Sequence, residues 1–91
     1  MRKVKVLQID QFTLATINLT DYRLNDFSPK NRNKTFRRLY GRITKSELSS
    51  KQISVLEVDE TDKPRIGFVW YAEDEETGKL KLWKQHYDCG D

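Results

Sequence analysis

Residues 65–84, RIGFVWYAEDEETGKLKLWK, carry the clearest structural pattern in this chain. Its first half is an apolar run of aromatic and β-branched residues, the types that strands favour. The chain then becomes polar and reaches Gly78, a residue that supplies the positive φ that many hairpin loops need. Residues 79–84 alternate, with Leu80 and Leu82 on one side and longer polar or aromatic side chains on the other. This stretch therefore predicts an antiparallel hairpin.

Three further segments have the composition of strands and lack helical spacing. They are residues 4–9, 12–20 and 52–58. Alternation slips in the first segment, where Val6 and Leu7 are both apolar although neighbouring strand residues point to opposite faces. Either a bulge or burial on both faces would explain this pattern. Residues 20–35 contain Asp, Asn, Ser and Pro and are expected to form a long loop.

Residues 36–43 fit two structures. As a helix, their apolar side chains fall on one stripe. As a strand, one face carries Phe36, Arg38, Tyr40 and Arg42. Gly41 lies inside the segment and disfavours a helix by about 1 kcal/mol. We therefore favour a strand here, with a helix as the alternative.

The whole chain is expected to be one domain, residues 1–91, because a chain of this length supports a single core. Thr44-Lys45-Ser46-Glu47 matches a capping box, which predicts a short helix at residues 44–51. The predicted class is mainly β, at the margin of α+β. The predicted architecture is a five- or six-stranded antiparallel sheet or a small barrel of the OB or SH3-like kind, since the order of strands, helix and strands is that of an OB barrel.

Charge is divided unevenly along the chain. Residues 1–45 carry eleven Lys or Arg against three Asp, whereas residues 46–91 carry six Lys or Arg against eleven acids. Between Asp26 and Glu47 there are seven basic residues and no acid. Such a run predicts a surface that binds a polyanion. The alternative is that the two halves fold over one another and their fields cancel.

The basic stretch also contains aromatic residues. Arg and Lys neutralise phosphates, and aromatic faces stack on unpaired bases. We therefore predict a small non-enzymatic module that binds nucleic acid, with DNA and RNA both compatible. The predicted contact residues are Lys30, Arg32, Lys34, Phe36, Arg37, Arg38, Tyr40, Arg42 and Lys45.

The alternative prediction is a protein-binding adaptor or inhibitor that acts through charged turns and exposed aromatic residues. Its candidate residues are Glu73, Asp74, Glu75, Glu76, Trp70 and Trp83. Each group also has a simpler explanation. Acidic turns keep the ends of a sheet solvated, and tryptophans on adjacent strands usually pack against each other.

Other classes of function find little support in the sequence. The chain has one histidine, His86, and one cysteine, Cys89, whereas a structural zinc site needs four ligands. No nucleophile motif surrounds a serine or the cysteine, so we predict no enzyme, no metal and no cofactor. A single cysteine fits a reducing compartment. The apolar run 67–72 is far shorter than the roughly 20 residues of a membrane span, so we expect a cytoplasmic protein without a membrane partner.

Overall fold

The computed structural model describes residues 2–15, 17–41 and 53–89. The elements in chain order are β1 (Lys3–Asp10), α1 (Gln11–Leu14), a 3-10 helix (Leu24–Phe27), α2 (Arg32–Tyr40), β2 (Ile53–Asp59), β3 (Phe68–Glu73) and β4 (Leu80–His86). The predicted strands at 4–9, 52–58, 65–72 and 79–84 are confirmed as β1 to β4, although β3 begins three residues later than expected. The predicted hairpin joins β3 to β4.

The four strands form one antiparallel sheet in the order β2-β1-β3-β4. A register shift between Trp70 and Tyr71 marks a β-bulge in the β3–β4 pair. Since β2 and β4 are edge strands, the sheet is open in the part of the chain that the structure describes. The mainly β, antiparallel class is therefore confirmed, while a fifth strand and closure of a barrel are not found among the described residues.

The predicted strand at residues 12–20 is wrong, because the chain turns immediately after β1. The carboxylate of Asp10 accepts the main-chain N–H groups of Phe12 and Thr13 at 2.7 and 3.0 Å. An aspartate in this position is a strong N-cap, and it starts α1 at the next residue. The side chain of Asp10 thus competes successfully with continuation of the strand.

The preferred strand at 36–43 is also wrong over residues 36–40, where the helical alternative is observed, and residues 42 and 43 lie outside the described residues. Gly41 does not interrupt the helix but follows it as the C-cap, with φ +71° and its N–H bonded to the carbonyl of Arg37 at 2.8 Å. A positive φ costs glycine little. Gly41, which would disfavour a helix as an interior residue, is therefore well suited to end one. The short helix predicted at 44–51 lies outside the described residues.

Apolar side chains cover both faces of the sheet. On one face, residues such as Leu7, Ile9 and Val69 pack beneath the 3-10 helix and α2. On the other face, a second cluster contains Val6, Val58, Trp70 and Ala72, with Trp83 packed against it. Val6 and Leu7 are both fully buried, so burial on both faces explains why alternation fails in β1. No helix among the described residues combines the length and the apolar character needed to cross a membrane.

Candidate nucleic-acid interface

Helix α2 separates its apolar and basic side chains. Thr35 and Phe36 are buried, and Leu39 packs against the core. Lys34, Arg37 and Arg38 are exposed, and the helical period places all three on the side away from the core. Lys30, just before the helix, is also exposed. We call these four side chains, Lys30, Lys34, Arg37 and Arg38, the cationic face.

Two contacts fix the rotation of α2 and thereby the direction of the cationic face. The hydroxyl of Thr35 donates to the main-chain carbonyl of Asp26 at 2.6 Å. The ring of Phe36 packs edge-on against Phe27, with centroids 6.4 Å apart and an interplanar angle of 84°. Edge-to-face packing of this kind is a favoured aromatic geometry. Because both contacts lie on the inner side, the basic side chains must point outward.

Two carboxylates of β2 lie opposite lysines of β1. Lys3 and Asp59 form an ion pair at 3.0 Å, and Lys5 lies opposite Glu57 in the β1–β2 register. The hydrogen bond and the charge of Asp59 raise the pKa of Lys3 above its usual value. The acids of β2 therefore face the lysines of β1. Within the described residues, no carboxylate forms an ion pair with any member of the cationic face.

Arg32 differs from the other basic residues of α2. Its guanidinium lies over the ring of Phe36, 5.4 Å from the centroid, and its side chain is half-buried. This is cation–π geometry, and it places Arg32 at the edge of the core. We therefore assign Arg32 to packing of the helix. Arg42 and Lys45, the remaining predicted basic contacts, lie outside the described residues.

The aromatic residues predicted to stack on bases do not form an exposed platform. Phe36 is only 5% exposed, so neither of its faces is open to a base. Tyr40 is the last residue of α2, and its side chain lies outside the described part of the structure. Trp83 is half-buried and stacks on Trp70 at 6.1 Å, with the ammonium of Lys84 4.5 Å from its ring centroid.

Trp70, proposed as an anchor for a protein partner, is a core residue. It is 4% exposed, and its indole N–H donates to the side-chain oxygen of Gln8 at 3.1 Å. The predicted acidic residues lie at the β3–β4 turn, where Asp74 accepts the N–H of Glu76 at 2.9 Å. Glu73, Glu75 and Glu76 are exposed there. This turn borders an open groove of about 1180 Å³ that Arg2, Lys3 and Lys5 also line, so the groove carries both signs of charge.

Several strongly exposed apolar side chains were not among the sequence candidates. Phe12 is 73% exposed, Ile66 60% and Tyr87 43%. We call these three residues the apolar end cluster because Gln11 joins their neighbours at one end of the sheet. The N–H of Gln11 donates to Gly67 at 2.9 Å, and its side-chain amide binds both main-chain groups of Asp88. The strand predicted at residues 12–20 gives no reason to expect an exposed Phe12, whereas α1, which replaces that strand, places its ring in solvent.

Within the described residues, no three His, Cys, Asp or Glu side chains are grouped closely enough to hold a metal ion. His86 places Nδ1 3.2 Å from the carbonyl oxygen of Pro64. Comparison with protein families, with curated proteins and with solved structures finds no match to this chain. The case for a function therefore depends on the charges and exposures described above.

Proposed function

We propose that this protein is a small non-enzymatic module that binds nucleic acid by holding phosphates on the cationic face. One observation carries the proposal. Lys34, Arg37 and Arg38 project from one side of α2, and none of them forms an ion pair with another described residue. Guanidinium groups match phosphate geometry with paired hydrogen bonds, while lysine supplies a point charge.

The arrangement of the other charges supports this proposal. If the acidic half of the chain had folded onto α2, the attraction for a polyanion would be cancelled locally. Instead Asp59 pairs with Lys3, and no described carboxylate forms an ion pair with Lys34, Arg37 or Arg38. Exposed basic side chains without an ion-pair partner attract phosphate groups over about a Debye length.

Binding titrations by fluorescence anisotropy, repeated from 50 to 300 mM salt, test the proposal. Four neutralised phosphates give a slope of log K against log salt of about −3.6. The variant Arg37→Ala/Arg38→Ala is expected to flatten this slope by about 2 and to weaken binding at 50 mM salt on the order of 100-fold.

A matched control removes the same charge from another surface. Lys63 and Arg65 are exposed in the β2–β3 loop, which His86 and Lys84 contact from β4. Lys63→Ala/Arg65→Ala is expected to weaken binding less than about fivefold, because salt screens distant charges. Equal losses of affinity in the two double variants would count against the cationic face as the site. So would the absence of nucleic-acid binding by the unmodified protein at 50 mM salt.

A second candidate function, binding of a protein partner, is favoured by the apolar end cluster. Phe12 is held at the surface by the Asp10 cap, and an exposed aromatic on a rigid turn is the kind of residue that anchors protein interfaces. This function would be supported by a protein partner whose binding persists after nuclease treatment. That binding should be lost in Phe12→Ser and kept in Arg37→Ala/Arg38→Ala. Loss with the arginine variant instead would favour nucleic acid.

We also propose that the protein acts in the cytoplasm, where nucleic acid and reduced thiols occur together. Cys89 is a free, exposed thiol and the single cysteine of the sequence, which fits a reducing compartment. A membrane-impermeant maleimide should label Cys89 in lysates but not in intact cells. Labelling of intact cells would contradict this location.

A further inference from the structure

Among its described side chains, α2 offers charge without an accessible ring. Phe36, the aromatic residue of α2 whose side chain the structure describes, is 5% exposed and faces Phe27. Trp83 is half-buried against Trp70 on the opposite face of the sheet. Proteins that hold single strands combine a basic groove with aromatic residues on which the bases stack. Among the described side chains, this helix has the first component and lacks the second.

A surface that recognises charge alone favours the ligand with the higher charge density. Duplex DNA carries one negative charge per about 1.7 Å of its axis, whereas one strand carries one per about 3.4 Å at the same rise. Each phosphate contact also releases about 0.9 counterions from a duplex but about 0.7 from a single strand. For the four side chains of the cationic face, the two slopes are about −3.6 and about −2.8.

The dimensions of α2 agree with a regular array of phosphates. Its nine residues span about 13 Å at 1.5 Å per residue, a length over which one strand of a duplex presents about four phosphates. Lys34 and Arg38 are one helical turn apart, about 6 Å along the axis. The contacts of Thr35 and Phe36 hold the helix in place, so the Cα atoms that carry the basic side chains form a fixed row. A duplex is already ordered to meet such a row, whereas a single strand must lose conformational freedom to do so.

We infer that the cationic face takes double-stranded nucleic acid in preference to single strands, through phosphates alone and without reading sequence; this inference rests on the proposed function. Phe12, the most exposed aromatic residue among those described, belongs to α1 and not to α2. Sequence would be ignored because phosphate contacts carry no direct base information.

The test compares labelled 20-mers by anisotropy at 100 mM salt, using the full chain. The probes are two duplexes of unrelated sequence, a single strand of deoxythymidine, and the corresponding RNA duplex and strand. The two slopes differ by about 0.8. Taking equal affinities for duplex and strand at 1 M salt, this difference makes duplex binding roughly sixfold tighter at 100 mM, one decade lower in salt concentration. The two duplex sequences are expected to agree within twofold.

Variants separate this inference from the proposed function. Arg37→Ala/Arg38→Ala should reduce binding to duplex and strand alike, whereas Phe12→Ala should change neither. Thermal unfolding checks that both variants are folded. Single strands that bind as tightly as duplexes, a preference between the duplex sequences, or a loss of strand binding with Phe12→Ala would overturn the inference while leaving nucleic-acid binding intact. Failure of every probe to bind would instead overturn the proposed function itself. Tighter binding of either the DNA duplex or the RNA duplex agrees with the inference and shows which of the two supplies the phosphates.

Discussion

Thr35 donates its hydroxyl proton to the main-chain carbonyl of Asp26 across nine residues of chain, at 2.6 Å. This bond ties α2 to the 3-10 helix and determines which side of α2 meets the core. The carboxylate of the same Asp26 accepts the N–H of Arg23 at 2.7 Å. A buried polar side chain on the inner face of α2 thus controls the surface that the basic side chains present.

Thr35→Val is expected to destabilise the fold by about 1–3 kcal/mol, because it leaves the Asp26 carbonyl without its donor in a partly buried site. Thr35→Ser keeps the hydroxyl and should lose less stability than Thr35→Val. Urea denaturation monitored by circular dichroism gives both free energies of unfolding. A valine variant as stable as the natural protein would show that the hydrogen bond contributes nothing to stability.

Asp10→Ala is expected to cost about 1 kcal/mol, the usual effect of removing an N-cap. The carboxylate of Asp10 bonds both Phe12 and Thr13, and no other described side chain takes that role. Asp21→Ala, at an exposed loop position, is the matched control and should change stability by less than about 0.5 kcal/mol. Equal effects in the two variants, measured by urea denaturation, would contradict the role of Asp10 as a cap.

Gly41→Ala is expected to cost about 1–3 kcal/mol through backbone strain alone. A Cβ at this position would meet nothing within 4 Å, but the φ of +71° is one that alanine rarely adopts. Asn33→Ala, at an exposed position inside α2, should be neutral or slightly stabilising. The helical signal at 222 nm and the free energy of unfolding decide between these outcomes; an unaffected Gly41→Ala protein would show that the cap tolerates a side chain.

Two phenylalanine truncations should differ sharply. Phe27 is 5% exposed and packs against Tyr22 and Phe36, so Phe27→Ala is expected to cost about 3–5 kcal/mol. Phe12 is 73% exposed, so Phe12→Ala should change stability by less than about 0.5 kcal/mol. Thermal and urea unfolding of the pair provide the comparison. A large loss with Phe12→Ala would mean that its ring is covered in solution.

Stability should fall as the pH rises above about 10. Burial and then the charge of Tyr87 raise the pKa of Tyr71, and the bond to Asp59 raises that of Lys3. A group with a raised pKa in the folded state stabilises the fold fully below its unfolded pKa, about 10 for both residues. That contribution is lost as the pH rises through the folded value.

Urea denaturation at pH values from 8 to 11 measures this dependence. Tyr71→Phe is expected to flatten the alkaline decline, because it removes the buried hydroxyl that must ionise. Tyr87→Phe, at an exposed position, should have the smaller effect. If stability declined equally at alkaline pH in Tyr71→Phe, groups other than Tyr71 would be responsible for the decline.

Segments whose pattern is local were predictable from the sequence. The apolar runs of β1, β2 and β3 and the alternation of β4 are properties of neighbouring residues, and so is the turn at Gly78, whose φ is +72°. Two local signals have a different structural outcome from the predicted one. Asp10 caps α1 where the residue types of 12–20 predict a second strand, and Gly41 ends α2 instead of lying inside an element.

The amino-acid sequence by itself determined the strands, the hairpin and the presence of a basic stretch free of acids, because these depend on residues close together in the chain. Only the tertiary structure decided that Phe36 lies in the core and that Asp59 pairs with Lys3, 56 positions away. Those outcomes depend on which surfaces meet when apolar area is buried. That burial turns the aromatic side chain inward and leaves the neighbouring lysine and arginines facing solvent.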